Sequence, residues 1–409
     1  MNEWINVRLG EVANIEMGQS PESAYYNSNN EGIPLIQGNA DIKERKSIKR
    51  IWTTHPTKIC NEGDILMTVR APVGSIGISS FKSCLGRGVC GIKASSINNM
   101  YLYHLLIDKE ESWKQFEQGS TFTAVGSKEI YNFQLSISSS KSVQKKIAHI
   151  LTTCDTVIEQ TQSAIAKYKA IKQGLLHDLF TRGLTANGRL RPSYHDAPEL
   201  YKESELGIIP KEWEDVKIGD VSFMVTNGFV GIATPYYTTY DKGVPYLYGT
   251  NIREDKIEFE NLRYISREFH NNHVKSQLKS GDMLCVQSGH IGTCAIVPDD
   301  FTESNCHALI ITRFNKEIIY PEFISFYLNS SIGKKHLDKI IVGSTIKHVN
   351  TSDLAKHLII KPSLDEQKEI AQKLALIDKK LKNEETLLQK YRSIKRGLMC
   401  DLLGGRKEV

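Results

Sequence analysis

Gly86-Arg-Gly-Val-Cys-Gly91 has the Gly-x-Gly-x-x-Gly spacing that lets backbone N–H groups close on a dinucleotide pyrophosphate. That chemistry needs a helix opening from the last glycine, and Ile92-Lys-Ala-Ser-Ser-Ile-Asn-Asn99 is a poor helix start. A flexible loop is expected there instead. His270 and His273 are spaced like a pair of metal ligands, yet no second pair accompanies them. Surface histidines in a polar turn are expected, and no metal. Asp155 and Asp378 recur at one helical position, where a carboxylate that is solvated or bonded across a helix pair is expected rather than a catalytic one. The sequence holds no Gly-x-x-x-x-Gly-Lys-Ser/Thr phosphate loop, no His-Glu-x-x-His zinc helix and no Gly-x-Ser-x-Gly nucleophile elbow. A chain without catalytic residues or a cofactor of its own, one that positions something else, is the expectation.

The 409 residues, 40% hydrophobic and 24% charged, are enough for two or three domains, each with its own core. No apolar run approaches the ~18–20 residues that span a bilayer, and Met1–Gly10 lacks a signal-peptide pattern. The eight cysteines include no Cys-x-x-Cys pair, so buried, reduced thiols and a cytoplasmic location are expected. The net charge of +5 permits nucleic-acid binding without arguing for it.

The elements that would position any site are written twice. Trp4-Ile-Asn-Val-Arg-Leu-Gly-Glu-Val12 recurs as Trp213-Glu-Asp-Val-Lys-Ile-Gly-Asp-Val221, and Gly32-Ile-Pro-Leu-Ile-Gln-Gly38 as Gly243-Val-Pro-Tyr-Leu-Tyr-Gly249. Gly63-Asp-Ile-Leu66 followed by Gly74 recurs as Gly281-Asp-Met-Leu284 followed by Gly292, and Gly119-Ser-Thr121 as Gly343-Ser-Thr345. The block from Gln144-Lys-x-Ile-Ala to Asp178-Leu179 matches that from Gln367-Lys-x-Ile-Ala to Asp401-Leu402 at one constant offset. Such blocks in one order mean tandem duplication. Each copy opens with β-branched and aromatic runs (Ile65–Val69, Ile76–Ser79, Leu309–Thr312) between Gly, Pro, Asn and Asp. Helices are expected at Tyr101–Glu117 and Pro321–Leu337, so the fold class is α+β.

Each copy then closes on a long amphipathic helix. Apolar residues step by three or four through Ile147, Leu151, Ile158, Tyr168 and Leu175, and through Ile370, Leu374, Leu381, Tyr391 and Leu398. Ser142 and Ser363 are the expected caps, the second in a capping box with Glu366. Helices of about 40 residues extend roughly 60 Å, too far for one small domain to cover, so each wants the other as partner. The expected boundaries are globular domains at 1–140 and 213–361, long helices at 141–182 and 362–405, and a linker at 183–212. That linker is too short to return comfortably along the first helix, which makes an antiparallel coiled coil with pseudo-two-fold symmetry the expected pairing.

The twice-present block Gln-Lys-x-Ile-Ala … Tyr-x-x-Ile-Lys-x-Gly-Leu-x-x-Asp-Leu, the stretch Glu205-Leu-Gly-Ile-Ile-Pro-Lys-Glu-Trp213 and the Gly-Ser-Thr loops resemble the specificity subunits of type I restriction–modification systems. The resemblance covers essentially the whole chain, save that a leading Pro-x-x-Trp element is missing before Trp4. It implies a non-catalytic subunit with two target-recognition domains that read a bipartite, asymmetric site on double-stranded DNA. It further implies two docked copies of a DNA methyltransferase subunit using S-adenosylmethionine, and restriction subunits that use ATP. The other classes open at this point are an enzyme with an unrecognised site and a coiled-coil scaffold for protein partners, whose binding would not fall steeply with salt.

Phosphate contacts position a DNA-binding protein and base-edge contacts specify, so features shared by both copies are backbone candidates and divergent neighbours are readers. Ser120, Thr121, Ser344 and Thr345 fall in the first class, although Gly-Ser-Thr is equally an ordinary turn. Thr123, Lys128, Lys347 and His348 continue those loops unequally and fall in the second. After Gly63-Asp-Ile-Leu66 stands Arg70, suited to guanine O6/N7 or to a structural ion pair; the second copy has Gln287, Ser288 and His290, and glutamine suits adenine N6/N7. Gln37, Asn39, Arg87, Tyr248, Thr250 and Asn251 complete the candidates. Tyr25-Tyr26 and Tyr236-Tyr237 are expected to pack rather than stack on bases. Lys145, Lys172, Lys368 and Lys395 either dock a partner or solvate the helices.

Overall fold

A computed structural model describes residues 3–113, 124–301, 303–340 and 348–407. The chain divides into two compact units, Met1–Ser163 with Glu385–Val409, and Ala164–Glu384. Each unit thus combines one globular part with the opening of its own long helix and the closing part of the other.

In the first unit the β-rich run forms a six-stranded sheet, in the order Ala13–Met17, Val89–Ala94, Ile65–Thr68, Ile76–Ile78, Lys46–Ser47 and Ile42–Lys43. A five-stranded sheet carries Ile33–Ile36 parallel to Ser83–Leu85. The second unit repeats the scheme with fewer strands. Ser222–Asn227, Leu309–Phe314, Met283–Val286 and Cys294–Ile296 make one sheet, and Gly243–Leu247 runs parallel to Asn305–Cys306 in another. In each half the opening strand pairs antiparallel with the strand that precedes the long helix, Trp4↔Ser138 and Glu214↔Lys361. That ladder brings the helix start back to its own globule. Residues between the first long helix and Trp213 form a hairpin, Tyr201–Ser204 with Gly207–Pro210.

The long helices span Lys141–Thr181 and Leu364–Leu403. The Ser363 hydroxyl accepts from Glu366 N–H (3.3 Å), as the sequence suggests. Two details differ. The first helix is capped by Ser140, which accepts from Val143 N–H (3.4 Å), because the helix starts at Lys141, before Ser142. Glu366 forms no capping box: its carboxylate accepts from Leu184 N–H (2.7 Å), Arg191 (2.6 Å) and the Trp213 indole (3.1 Å). A partner with full charge outcompetes a lone backbone N–H. Pro321–Leu337 is two helices broken at Ser330, whose hydroxyl caps the second through Gly333 N–H (3.1 Å).

Gln144 and Gln367, which open the strongest repeat, are buried and hydrogen-bonded through both the nitrogen and the oxygen of the amide. Gln144 donates to Ser138 C=O (2.8 Å) and accepts from Asn98 N–H (3.0 Å). Gln367 donates to Pro362 C=O (2.9 Å) and accepts from Tyr320 N–H (2.8 Å). Each amide therefore locks a long helix to the start of the short helix beside it. Buried Ile147 and Leu151 share a core with Leu9, Ile65, Tyr101 and Trp113, joined by Leu402 and Leu403 from the other helix, with Leu398 packed against it. Ile370 and Leu374 share one with Leu179, Phe180, Trp213 and Phe323, with Leu175 against it. These helix openings are accordingly as much globule core as helix seam. Leu381 is buried, and Ile158, Tyr168 and Tyr391 are half-buried along the pair.

Within the first unit Asp155 accepts from Lys395, and within the second Lys172 pairs with Asp378 at 2.6 Å while Lys380 lies 4.8 Å over the Tyr168 ring. Numbers rise along one helix as they fall along the other, so the pairing is antiparallel. The recurrent aspartates bond across the pair, and so do Lys172 and Lys395, whereas Lys145 and Lys368 are exposed. All eight cysteines are free thiols. No helix among the described residues is long and apolar enough to cross a membrane.

Candidate nucleic-acid interface

Three backbone segments converge on one face of the first half. The turn between Ser83–Leu85 and Val89–Ala94 lies so close to its neighbours that a Cβ on Gly88 would be 2.1 Å from Gln37 O, and one on Gly18 would be 2.1 Å from Gly86 O. Gly86-Arg-Gly88 is therefore a tightly packed strand connection, not a flexible loop, and the close approach requires glycine at position 88. Its one side chain, Arg87, is exposed, and its N–H donates to Ser20 Oγ (3.1 Å). Gln37 emerges alongside, its amide donating to Tyr26 Oη (3.3 Å). Asn39 is exposed on the next turn, which Asp41 holds by accepting from Gln37 N–H (2.7 Å).

Arg70 joins them. With Gln37, Arg87, Tyr26, Gln19 and Ser20 it lines a cleft of about 710 Å³ in which Glu22 is the one carboxylate among the lining residues. Two guanidiniums against one carboxylate leave the cleft net cationic. The Arg70 backbone bridges Ala124, and Val125 N–H donates to Val69 C=O (2.9 Å). The chain that contains Ser120, Thr121 and Thr123, which lie outside the described residues, thus re-enters beside Arg70. Lys128 is exposed on the short helix Ser127–Tyr131 that follows. Arg70 itself is exposed. Tyr25 stacks on His55 at 3.8 Å and Tyr26 donates to Pro21 C=O (3.0 Å); the first packs as expected, while the second also faces the cleft.

The second half repeats the geometry with other side chains. Tyr248 stands where Gln37 does. Its hydroxyl meets Tyr237 Oη, and Arg263 lies 5.3 Å over both rings while donating to Tyr237 Oη (3.1 Å). Burial pushes the Tyr248 phenol up, whereas the hydrogen bonds from Tyr248 and Arg263 pull the Tyr237 phenol down. Either hydroxyl can donate to the other. Tyr237 does more than pack, while Tyr236 tilts against Phe269 at 5.0 Å. His307 is tilted 5.0 Å from Tyr248, and burial lowers its pKa.

Gln287 donates to Asn227 Oδ1 (2.6 Å), and its carbonyl accepts from Val349 N–H (3.2 Å). Ser344, Thr345 and Lys347 lie outside the described residues; the Val349 bond to Gln287 matches the Val125 bond to Val69 in the first half. Exposed His348 is the residue just before Val349. Ser288 is exposed; His290 Nε2 reaches Gly249 O (3.0 Å) and Ile252 O (3.2 Å), tying this loop to the turn that exposes Thr250. Asn251 is a correction. It is 8% exposed, and its amide is spent on Tyr248 N–H (2.9 Å) and Glu258 C=O (3.3 Å), so it holds the turn and does not face a ligand.

His270 and His273 lie on and just past a short helix, Arg267–Asn272, rather than in a polar surface turn. The His273 ring stacks on Phe269 at 3.9 Å with Nδ1 at Phe269 O (2.8 Å). Among the described residues no cluster of three or more metal-ligating side chains occurs.

The sequence model of the type I restriction modification DNA specificity domain matches this chain twice, over residues 1–168 and 210–391. The chain belongs to that family. This specificity chain is 25% identical over 419 residues to the MjaVIII specificity subunit of Methanocaldococcus jannaschii, covering 100% of itself and 93% of the relative. It is 24% identical to the EcoBI specificity subunit of Escherichia coli, covering 91% and 79%. Its fold matches the crystal structure of the type I restriction–modification S subunit from M. genitalium, with a TM-score of 0.64 at 14% identity over 98% of this chain and 96% of the other. A chain from a structure concerned with assembly of the type I system matches with a TM-score of 0.55 at 16% identity, over 98% and 97%. Arg263 and His307, which border these turns in this specificity chain, were not among the residues the sequence singled out, and Tyr26 was expected only to pack. The only available signal was position: His307 directly follows the strand that aligns with the one before Gly86.

Proposed function

We propose that this specificity subunit reads a bipartite, asymmetric site on double-stranded DNA, one half-site through residues 1–140 and the other through residues 213–361. Helices 141–182 and 362–405 fix the spacing between half-sites and dock two copies of a DNA methyltransferase subunit, and through them restriction subunits. The chain itself is non-catalytic and binds no metal or cofactor; S-adenosylmethionine, and ATP with Mg where restriction subunits join, serve the partner subunits. The observation that carries this reading is the split between what is repeated and what diverges. Gln144/Gln367, Asp155/Asp378 and Lys172/Lys395 do the same work in both halves. The positions over equivalent turns differ: exposed Arg70 against exposed Ser288, and half-buried Gln37 against half-buried Tyr248. A common frame with unlike surfaces is what two readers of unlike sequences need.

The candidate contacts are Gln37, Asn39, Arg70, Arg87, Lys128, Tyr248, Thr250, Gln287, Ser288, His290 and His348. The Gly-Ser-Thr loops supply backbone N–H groups and hydroxyls to phosphate. Co-expression with a methyltransferase subunit and sequencing of the methylated sites tests the reading. Two short motifs split by a spacer of fixed length support it. A single contiguous motif, methylation without sequence preference, or turnover of S-adenosylmethionine by the chain alone contradicts it.

A further inference from the structure

The second half carries an apolar feature that its polar candidate contacts do not explain. The chain leaves strand Ser222–Asn227 at Gly228, where a Cβ would lie 2.6 Å from Cys306 Sγ. Phe229 N–H then donates to Cys306 C=O (2.9 Å), Ala308 N–H donates to Phe229 C=O (3.1 Å), and the Phe229 ring packs 4.8 Å from Phe269. Ala233 is buried again four residues later. Between these two anchors Val230 is 67% exposed and Ile232 78% exposed, on either side of Gly231 with φ +158°. Two side chains stiff at χ1 are thus held in water on an arch rooted at both ends.

The arch occupies a telling place. Its counterpart in the first half leaves strand Ala13–Met17 by the matching bond, Gly18 N–H to Val89 C=O (3.0 Å) against Gly228 N–H to Leu309 C=O (2.7 Å). That counterpart, Gln19-Ser-Pro-Glu22, lines the cationic cleft with Gln37, Arg70 and Arg87. In the second half the arch borders Tyr248 through His307, which lies 6.4 Å from the Phe229 ring and 5.0 Å from Tyr248. One position in the frame is therefore polar in one half and apolar in the other, the behaviour of a reading element. In the major groove the apolar group a base pair presents is the thymine 5-methyl.

We propose that Val230 and Ile232 contact thymine 5-methyl groups in the half-site read by residues 213–361. This rests on the reading of the chain as a two-headed DNA reader. The test uses the complex with a co-expressed methyltransferase subunit, on its own methylated site, with each thymine replaced in turn by deoxyuridine. One or two positions, all in the half-site that Arg70→Ala leaves unrelaxed, bind about fourfold weaker, the loss of one buried methyl. The double variant V230S/I232S, with an unchanged unfolding midpoint, binds the thymine and deoxyuridine forms alike at those positions. The proposal is overturned by a half-site without thymine, by indifference to every replacement, or by discrimination that survives in the variant. It is equally overturned if the variant loses subunit assembly while keeping the methyl effect, which marks the arch as a protein contact. Absence of any sequence-specific site is a different result, and it removes the two-headed reading itself.

Discussion

Arg70 and Ser288 occupy matching positions, each next to a residue (Val69, Gln287) that accepts from Val125 or Val349 N–H, and both loops end at a glycine in the left-handed region, Gly74 (φ +82°) and Gly292 (φ +78°). A Cβ there would fall within 2.4 Å of Trp113 or 2.2 Å of Leu337, so the loops can return only with glycine. This much was legible as spacing. Which polar side chain the turn buries was not: Asn251 and Thr250 are adjacent, and only the closed turn tells the strut from the exposed group. Arg70→Ala is expected to weaken specific binding by about 1–3 kcal/mol and to relax one base position. Methylation of sites varied base by base checks it, and a uniform loss over all sites contradicts it. His104 gives a pH dependence. It is buried, with Nδ1 3.9 Å from Asp155, and burial, aided by Lys395, lowers its pKa to about 3. The unfolded chain binds the proton near pH ~6.5, so this stability is present above that value and is lost as pH falls toward 3. Urea unfolding between pH 6.5 and 4 is expected to show up to about 1.4 kcal/mol per pH unit more loss in the wild type than in H104Q; parallel curves contradict this.

The long helices were legible because a three-four apolar rhythm over so many residues has no other stable reading. The sequence also suggested their antiparallel pairing, from the short linker. The role of the buried glutamines was not visible, since each accepts from a backbone N–H 46 or 47 residues away, Asn98 for Gln144 and Tyr320 for Gln367. Lys172 and Asp378 are half-buried and face each other at 2.6 Å. K172D is expected to destabilise the chain by about 1–2 kcal/mol, and K172D/D378K to recover most of it; thermal unfolding of the pair and both singles decides, and additive losses contradict the contact. Two glycines separate helix from frame. Gly174 lies inside the first long helix with open space around its Cβ position, so G174A is expected to stabilise by about 0.5–1 kcal/mol. Gly183, at φ +64°, would place a Cβ 2.3 Å from Trp213 and from Glu366 Oε1, so G183A is expected to destabilise by about 1–3 kcal/mol. Denaturant titration of both variants checks the opposite signs.

Across the whole molecule, duplication shows in how each unit is closed. Gly183 packs on Trp213 in the second unit, and Gly405, past the end of the second long helix, packs on Trp4 in the first. Each globule is therefore flanked by the end of one long helix and the beginning of the other. The repeat made this architecture readable from sequence. The surfaces resisted reading for the same reason they matter: His307 and the Val230–Ile232 arch stand where the first half has Gly86 and Gln19-Ser-Pro-Glu22, so no shared side chain marks them. The central claim is that unlike surfaces on a common frame read unlike half-sites independently. The most direct test is the set of methylated sites produced by the wild-type complex and by the complex carrying Arg70→Ala with Arg87→Ala. The account predicts a split motif in which the double variant relaxes one half and leaves the other half and the spacer unchanged. Relaxation of both halves together, or a single uninterrupted motif, would contradict it.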